Sequence, residues 1–136
     1  MKRILFLLFI LCGQTGYSQS ARYLQESAFS RHLITNNLYN AGILFYRQVL
    51  ADSTLLHTEY DTLYYRLGLC FEKTGQTDSS ISAYERVGNY TTLYEKSISA
   101  SLTQYVQAGR YRNANNFIMG FGPREMNQLG YKIYWQ

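Results

Sequence analysis

Proline, cysteine and histidine are all scarce in this chain of 136 residues. Because Pro123 is the single proline, nothing before it forces a break in a helix. Two cysteines and two histidines offer few ligands for a metal centre and few candidates for nucleophilic or acid–base catalysis. The composition therefore favours a helical protein that works without a cofactor.

Long apolar runs are also missing. Lys2 and Arg3 precede nine apolar residues, 4–12, which is fewer than the roughly 20 that a membrane-spanning helix needs. A basic start followed by a short apolar run is typical of a secretory signal peptide, and small residues near Ser18 predict cleavage after it. We expect a signal peptide at residues 1–18 and a mature domain at 19–136 without a transmembrane segment.

The two cysteines have different interpretations. Cys12 ends the apolar run, where a bacterial lipoprotein carries its lipidated cysteine, but Leu11 stands where such signals have a small residue. Cleavage after Ser18 leaves Cys70 alone, so the mature chain has no internal disulfide. A free cysteine in a helical core usually acts as a small apolar residue.

The predicted mature chain carries little net charge. Without Lys2 and Arg3, 11 basic residues face 9 acidic ones, a net charge of +2. This balance argues against a nucleic-acid partner and against a polybasic membrane patch.

The predicted signal peptide indicates an exported protein, which we expect in the periplasm or cell envelope, or secreted.

Apolar residues at helical spacing, with regular punctuation, predict an all-α domain. We expect helices at about 21–35, 38–51, 58–74, 77–87, 92–108 and 111–119, and a seventh at 123–136. Four glycines follow the apolar-periodic segments, where a left-handed conformation ends a helix: Gly75, Gly88, Gly109 and Gly120. Two S/T-x-x-D/E patterns, Thr58 with Asp61 and Thr92 with Glu95, predict capping boxes.

Helix pairs repeat along the chain. Aligning Phe71 with Tyr105 also aligns Gly75 with Gly109, an offset of 34 residues. Downstream, the same offset aligns Ser80 with Ala114 and Tyr84 with Ile118. An earlier copy at an offset of 39 aligns Ala41 with Ser80 and Phe45 with Tyr84. This predicts three units at about 23–56, 61–94 and 95–122.

The best of these units resembles a tetratricopeptide repeat. Its pattern is Leu67-Gly68-x-x-Phe71-x-x-x-Gly75, followed by Ser80, Tyr84 and Val87. The third unit keeps Tyr105, Gly109, Tyr111, Ala114 and Ile118. The first keeps Leu38, Ala41 and Phe45, has Asn36 at the turn-glycine position, and has His32 at the position of Phe71, where we expect a packed or half-buried side chain.

The resemblance implies a right-handed α-solenoid of about three helix pairs with a C-terminal capping helix, acting as a non-catalytic scaffold or adaptor. In such proteins the first helix of each pair lines a groove that binds another protein or peptide, and here the chain's own last helix could fill that groove instead. The implied groove residues are Tyr23, Glu26, Ser30 and Leu33, then Thr62, Tyr65, Leu69, Glu72 and Lys73, then Lys96, Ser99, Thr103 and Gln107. The lysine and asparagine with which some family members clamp a peptide's terminal carboxylate are absent.

Two other functions stay open at this point. The chain could be the capping end or a fragment of a larger envelope assembly, or could self-associate through its C-terminal aromatic end, residues 133–136. It could also be a metal-dependent hydrolase centred on His57, Glu59 and Asp61. Against this, a closed metal site needs three or four ligands, and solvated residues at a helix start would look the same.

Overall fold

A computed structural model describes residues 27–51 and 55–121 of the protein. Within these ranges the chain forms six helices and no strand, which confirms the all-α prediction. Helix α1 comprises the helical residues 27–35, and the others are α2 (Tyr39–Leu50), α3 (His57–Lys73), α4 (Thr77–Tyr84), α5 (Leu93–Gln107) and α6 (Tyr111–Met119). The predicted signal peptide, the helix at 123–136, Tyr23 and Glu26 all lie outside the described residues.

The chain divides into two compact units, Met1–Asn37 and Leu38–Gln136. In the first, Ser30 and Leu33 on α1 are almost fully buried, with 1% and 3% exposure. His32 is exposed, and the Asn36 side chain donates a hydrogen bond to its carbonyl oxygen at 2.8 Å. The expectation of a packed His32 was therefore wrong.

Packing in the second unit follows the chain order. Helix α2 packs against α3, α3 against α4, α4 against α5 and α5 against α6. Helix α3 also contacts α5, so the first helices of two successive pairs are neighbours. The buried apolar side chains of this unit are Ile43, Tyr46, Leu63, Leu67, Cys70, Phe71, Ile81, Ala83, Tyr84, Val87, Ile98 and Ala114.

Most predicted helix boundaries agree with the structure within one residue, but the predicted helix at 77–87 ends at Tyr84. Beyond it, the amide of Arg86 donates to the carbonyl of Ala83 and the amide of Val87 to that of Tyr84. These tighter turns end the α-helix. The amide of Gly88 then donates to the Asp61 carboxylate at 2.7 Å, so the chain leaves the helical path.

The predicted capping boxes are only partly correct. Helix α3 begins at His57, one residue before Thr58. The backbone amide of its N-cap residue, Leu56, donates to the Glu59 carboxylate at 2.7 Å. Asp61 bonds to the distant Gly88 instead, so the pairing of Thr58 with Asp61 was wrong. Thr92 is the N-cap residue of α5, as expected, but its side chain makes no capping hydrogen bond.

Two of the four glycines end helices in the predicted way. Gly75 and Gly109 adopt the left-handed conformation, with φ of 74° and 70°. The amide that follows each of them reaches back five residues, Gln76 to the carbonyl of Phe71 at 2.8 Å and Arg110 to that of Tyr105 at 2.9 Å. Gly88 and Gly120 do not adopt this conformation, so the prediction was wrong for them.

In the structure, the left-handed turn residues Gly75 and Gly109 stand 34 residues apart, and Asn37 and Gly75 stand 38 apart in place of the predicted offset of 39. Left-handed residues stand at Asn37, Gly75 and Gly109, each two residues before the start of the next helix. This register matches Gly42 with Ser80 and Tyr46 with Tyr84.

Burial agrees with the corrected register, because Gly42 and Tyr46 are buried whereas Ala41 is exposed and Phe45 only half-buried. The same register places Leu33, and not His32, at the position of Phe71. A match between the small residues Ala41 and Ser80 is therefore out of register by one residue, because the turn residue sets the phase of the following helix.

Candidate binding surfaces

Helices α3 and α4 cross at Gly68. The hydroxyl of Ser80 donates to the Gly68 carbonyl oxygen at 3.0 Å, and both residues are buried. A methyl group on Gly68 would lie 2.7 Å from the Tyr84 ring, closer than van der Waals contact allows. The small residues predicted at the crossing therefore do permit the close approach of the two helices.

The predicted groove residues of the second and third repeats lie on α3 and α5, which contact each other. On α3, Thr62, Tyr65, Leu69 and Glu72 are half-buried and Lys73 is exposed; on α5, Ser99 is half-buried and Lys96, Thr103 and Gln107 are exposed. We call these nine residues the α3–α5 face. Ser30 and Leu33, by contrast, are too buried to offer a ligand much surface.

Several polar groups of the α3–α5 face already have partners within the chain. Glu72 accepts hydrogen bonds from the Tyr84 hydroxyl at 2.9 Å and from Lys73 at 3.4 Å. The hydroxyls of Thr62 and Thr103 donate to helix carbonyls one turn earlier. Among the groups that could anchor a ligand are the Leu69 side chain and the polar ends of Lys96 and Gln107.

Tyr65 of this face packs against the buried Tyr84 of α4. Their ring centroids are 5.6 Å apart, in a tilted arrangement. Burial, followed by the charge of Glu72, raises the pKa of Tyr65. Burial also raises the pKa of Tyr84, and its hydrogen bond to Glu72 raises it further. Both hydroxyls therefore stay protonated at neutral pH, and that of Tyr84 donates its hydrogen bond to Glu72.

His57, Glu59 and Asp61 each have a separate structural role. The His57 ring stacks on Tyr90 with centroids 4.8 Å apart, and Glu59 caps the start of α3. Asp61 is 2% exposed and holds the loop between α4 and α5 through Gly88 and the Thr91 hydroxyl. In the described ranges, no group of three or more His, Cys, Asp or Glu side chains could hold a metal ion.

Cys70 is fully buried at the contact between α2 and α3. A methyl group on Gly42 would lie 2.8 Å from its sulfur. Burial raises the pKa of the Cys70 thiol to about 11, so it stays protonated and poorly nucleophilic at neutral pH. This agrees with the expected role as a small apolar residue.

An open cleft of about 530 Å³ lies between α2, α3, α4 and the turn that follows α4. Its lining residues are Arg47, Leu50, Ala51, Tyr64, Leu67, Phe71, Asp78, Ser79, Ser82, Ala83 and Arg86. Leu69 follows Leu67 by two residues, about 200° around the helix, so the cleft and the α3–α5 face use opposite sides of α3. This cleft could not be predicted from the sequence, because its residues come from three helices and form no local motif.

Comparison with known proteins adds no relative. No protein-family model, no curated protein and no solved structure matches this chain. Among the described helices, none combines the length and apolar character needed to cross a membrane.

Proposed function

We propose that the protein is a non-catalytic scaffold of tetratricopeptide type that binds another protein or peptide. One observation carries this proposal: the pairs α3–α4 and α5–α6 repeat one design. Each turns at a left-handed glycine, each has a buried small residue at the same depth of its second helix, Ser80 or Ala114, and α3 contacts α5. In this proposal the pairs stack as a right-handed solenoid.

The candidate catalytic residues His57, Glu59 and Asp61 have structural contacts, which favours a scaffold over an enzyme. Glu59 and Asp61 accept backbone amide hydrogen bonds, and His57 stacks on Tyr90. A general acid or base needs a free proton-transfer position near a substrate. Asp61, at 2% exposure, does not offer one.

The α3–α5 face is the proposed binding surface. Its chemistry suits an extended peptide or a helix that packs an apolar side chain against Leu69 and forms hydrogen bonds with Lys96 and Gln107. Binding would depend on a few central contacts rather than on the whole area. Export, predicted from residues 1–18, would place this interaction in the cell envelope or outside the cell.

A variant pair tests this proposal by affinity capture from the protein's own cell envelope fraction. Thr103→Lys adds bulk and charge to the exposed part of the α3–α5 face, and Leu69→Lys does so nearer its centre. Leu44→Lys is the control, because Leu44 is 71% exposed on α2 and lies outside the face. Circular dichroism checks that each variant remains helical.

We expect the wild type and Leu44→Lys to recover the same partner, and both face variants to recover less. Equal recovery by all three variants would remove the α3–α5 face from the account.

Self-assembly is a second candidate, favoured by one observation on α6. Tyr111 is 67% exposed and Met119 is 73% exposed on this helix, so large apolar side chains remain open to a second copy. Light scattering across a range of concentrations tests it. A rising mass that Met119→Lys abolishes would support self-assembly, and a constant monomer mass would oppose it.

A further inference from the structure

The cleft between α2, α3 and α4 has an apolar floor and a basic rim. Leu67 and Phe71 are buried core residues whose edges line the cleft, and Leu50 adds a half-buried apolar side chain. Arg47 and Arg86 are exposed at its rim, one on α2 and the other just after α4. An apolar base with charged groups around it is the usual layout of a site that recognises a peptide side chain and its polar neighbours.

The two arginines are held by aromatic rings. The Arg47 guanidinium lies 5.3 Å from the centre of the Phe71 ring, and that of Arg86 lies 5.6 Å from the centre of the Tyr64 ring. Arg86 also donates to the Tyr64 hydroxyl at 3.5 Å. Stacking on a ring fixes the guanidinium plane while leaving its edge N–H groups directed outward.

Neither rim arginine is paired with a carboxylate in the described part of the chain. Asp78 also lines the cleft, but its carboxylate is taken by Arg110 from the start of α6. The hydrogen bond and charge of Arg110 lower the pKa of Asp78, so the carboxylate stays ionised and balanced by a cation. The cleft therefore keeps a net positive rim.

We propose that this cleft binds an acidic segment of a partner protein, with its carboxylates on Arg47 and Arg86 and an apolar side chain against Leu50, the half-buried apolar residue of the floor. The proposal rests on the scaffold function but assigns a second surface, on the opposite side of α3 from the α3–α5 face. Charge complementarity carries it, because each guanidinium can form paired hydrogen bonds with a carboxylate.

A peptide fits this cleft better than a small phosphate ligand. A phosphate group could use the basic rim but would leave the apolar floor of the cleft without a contact. A segment that alternates acidic and apolar side chains uses both the rim and the floor.

Fluorescence anisotropy with two short labelled peptides tests the proposal. In the first peptide glutamate alternates with leucine, and in the second glutamine replaces each glutamate. The variants are Arg47→Gln and Arg86→Gln, which keep most of the side-chain length. Arg112→Gln is the control, because Arg112 is exposed on α6, lines no part of the cleft and changes net charge equally.

We expect the glutamate peptide to bind and the glutamine peptide to bind at least tenfold more weakly. Each rim variant should weaken the glutamate peptide by about fivefold or more, as expected for loss of a charge-assisted hydrogen bond at a rim. The control should change affinity less than twofold. Binding should also weaken with added salt.

Equal binding of the two peptides, equal weakening by Arg112→Gln, or absence of binding by the glutamate peptide would each overturn the proposal. Partner capture separates this result from the scaffold function. If the Arg47→Gln, Arg86→Gln double variant still recovers a partner that Thr103→Lys loses, the cleft assignment fails and the scaffold stands. If the double variant loses the partner, the cleft is supported.

Discussion

The ring of Tyr84 lies directly on the backbone of Gly68. A Cβ atom at Gly68 would be 2.7 Å from both Cδ1 and Cε1 of the ring. Tyr84 is 2% exposed and its hydroxyl is fixed by Glu72, so the ring has little room to move. The distance between α3 and α4 therefore depends on the absence of a side chain at position 68.

Gly68→Ala should destabilise the protein by about 1–3 kcal/mol, the usual range for overpacking a tight core. Urea unfolding of the wild type and the variant measures this loss. The Tyr84→Ala background is the control, because removal of the ring should make the added methyl group nearly neutral. An equal cost in both backgrounds would show that ring contact is not the cause.

Comparing Ser80 with Ser101 measures how much one buried hydrogen bond contributes to the stability of the protein. Both are fully buried, but Ser80 donates to the Gly68 carbonyl, whereas the Ser101 hydroxyl is buried without a partner among the described residues. Ser80→Ala should lose about 1 kcal/mol of stability. Ser101→Ala should be neutral or gain up to about 1 kcal/mol, because it removes an unsatisfied polar group.

Thermal and urea unfolding of the two alanine variants checks this difference. Equal destabilisation by both would contradict the assignment of their hydrogen bonds.

Alanine substitutions at Gly109 and Gly120 distinguish the effect of backbone conformation on stability from the effect of atomic contacts. Gly109 has φ of 70°, and a methyl group added there would meet no atom within 4 Å, whereas Gly120 has φ of −72° and its methyl group would lie 3.3 Å from the Phe117 carbonyl oxygen. Gly109→Ala should therefore cost about 1 kcal/mol through backbone strain alone. Gly120→Ala should cost much less. Denaturant midpoints of the two variants measure the difference, and a larger loss at Gly120 would be the opposing result.

Asp61 holds the loop between α4 and α5 from its buried position on α3. Asp61→Ala leaves the Gly88 amide without this acceptor and should cost about 2 kcal/mol. Asp61→Asn keeps one acceptor oxygen and should cost less. Hydrogen exchange at the Gly88 amide reports the bond directly. Unchanged exchange and stability in Asp61→Ala would remove the structural role and reopen a chemical one.

Cys70 should resist modification in the folded protein. Burial raises its pKa to about 11 from an ordinary value of 9.0, so very little thiolate exists at pH 8. Alkylation by iodoacetamide at pH 8 should be slow in buffer and fast in concentrated urea, with the Cys70→Ala variant correcting for Cys12. The Cys70 thiol ionises at a lower pH in the unfolded chain than in the folded one. Its contribution to the free energy of unfolding should therefore fall as the pH rises from 9 through 11. Fast alkylation of the folded chain would contradict the buried thiol.

The helices and their turns could be predicted from the sequence because local chemistry sets them. Glycine tolerates the left-handed conformation at Gly75 and Gly109, and apolar spacing reveals the buried side of each helix. The register of the first repeat could not be predicted correctly, because Asn37 stands in place of the turn glycine and no sequence signal marks where α2 begins.

The long-range features could not be predicted from local patterns. Asp61 looks like part of a capping box in sequence, yet its partner Gly88 is 27 residues away. Arg47 and Phe71 are likewise brought together only by the packing of α2 on α3. Sequence spacing along one helix carries no information about these pairings, so both the loop anchor and the cleft needed the tertiary structure.

Site-specific photo-crosslinking tests the proposed partner-binding surface most directly. p-Benzoylphenylalanine is placed at position 69 on α3, at position 103 on α5 and, as the control, at the exposed position 112 on α6, and the protein is irradiated in its native cells. We predict that positions 69 and 103 attach to the same partner and that position 112 does not. Attachment from position 112 alone, or from none of the three, would contradict the α3–α5 face as the binding surface.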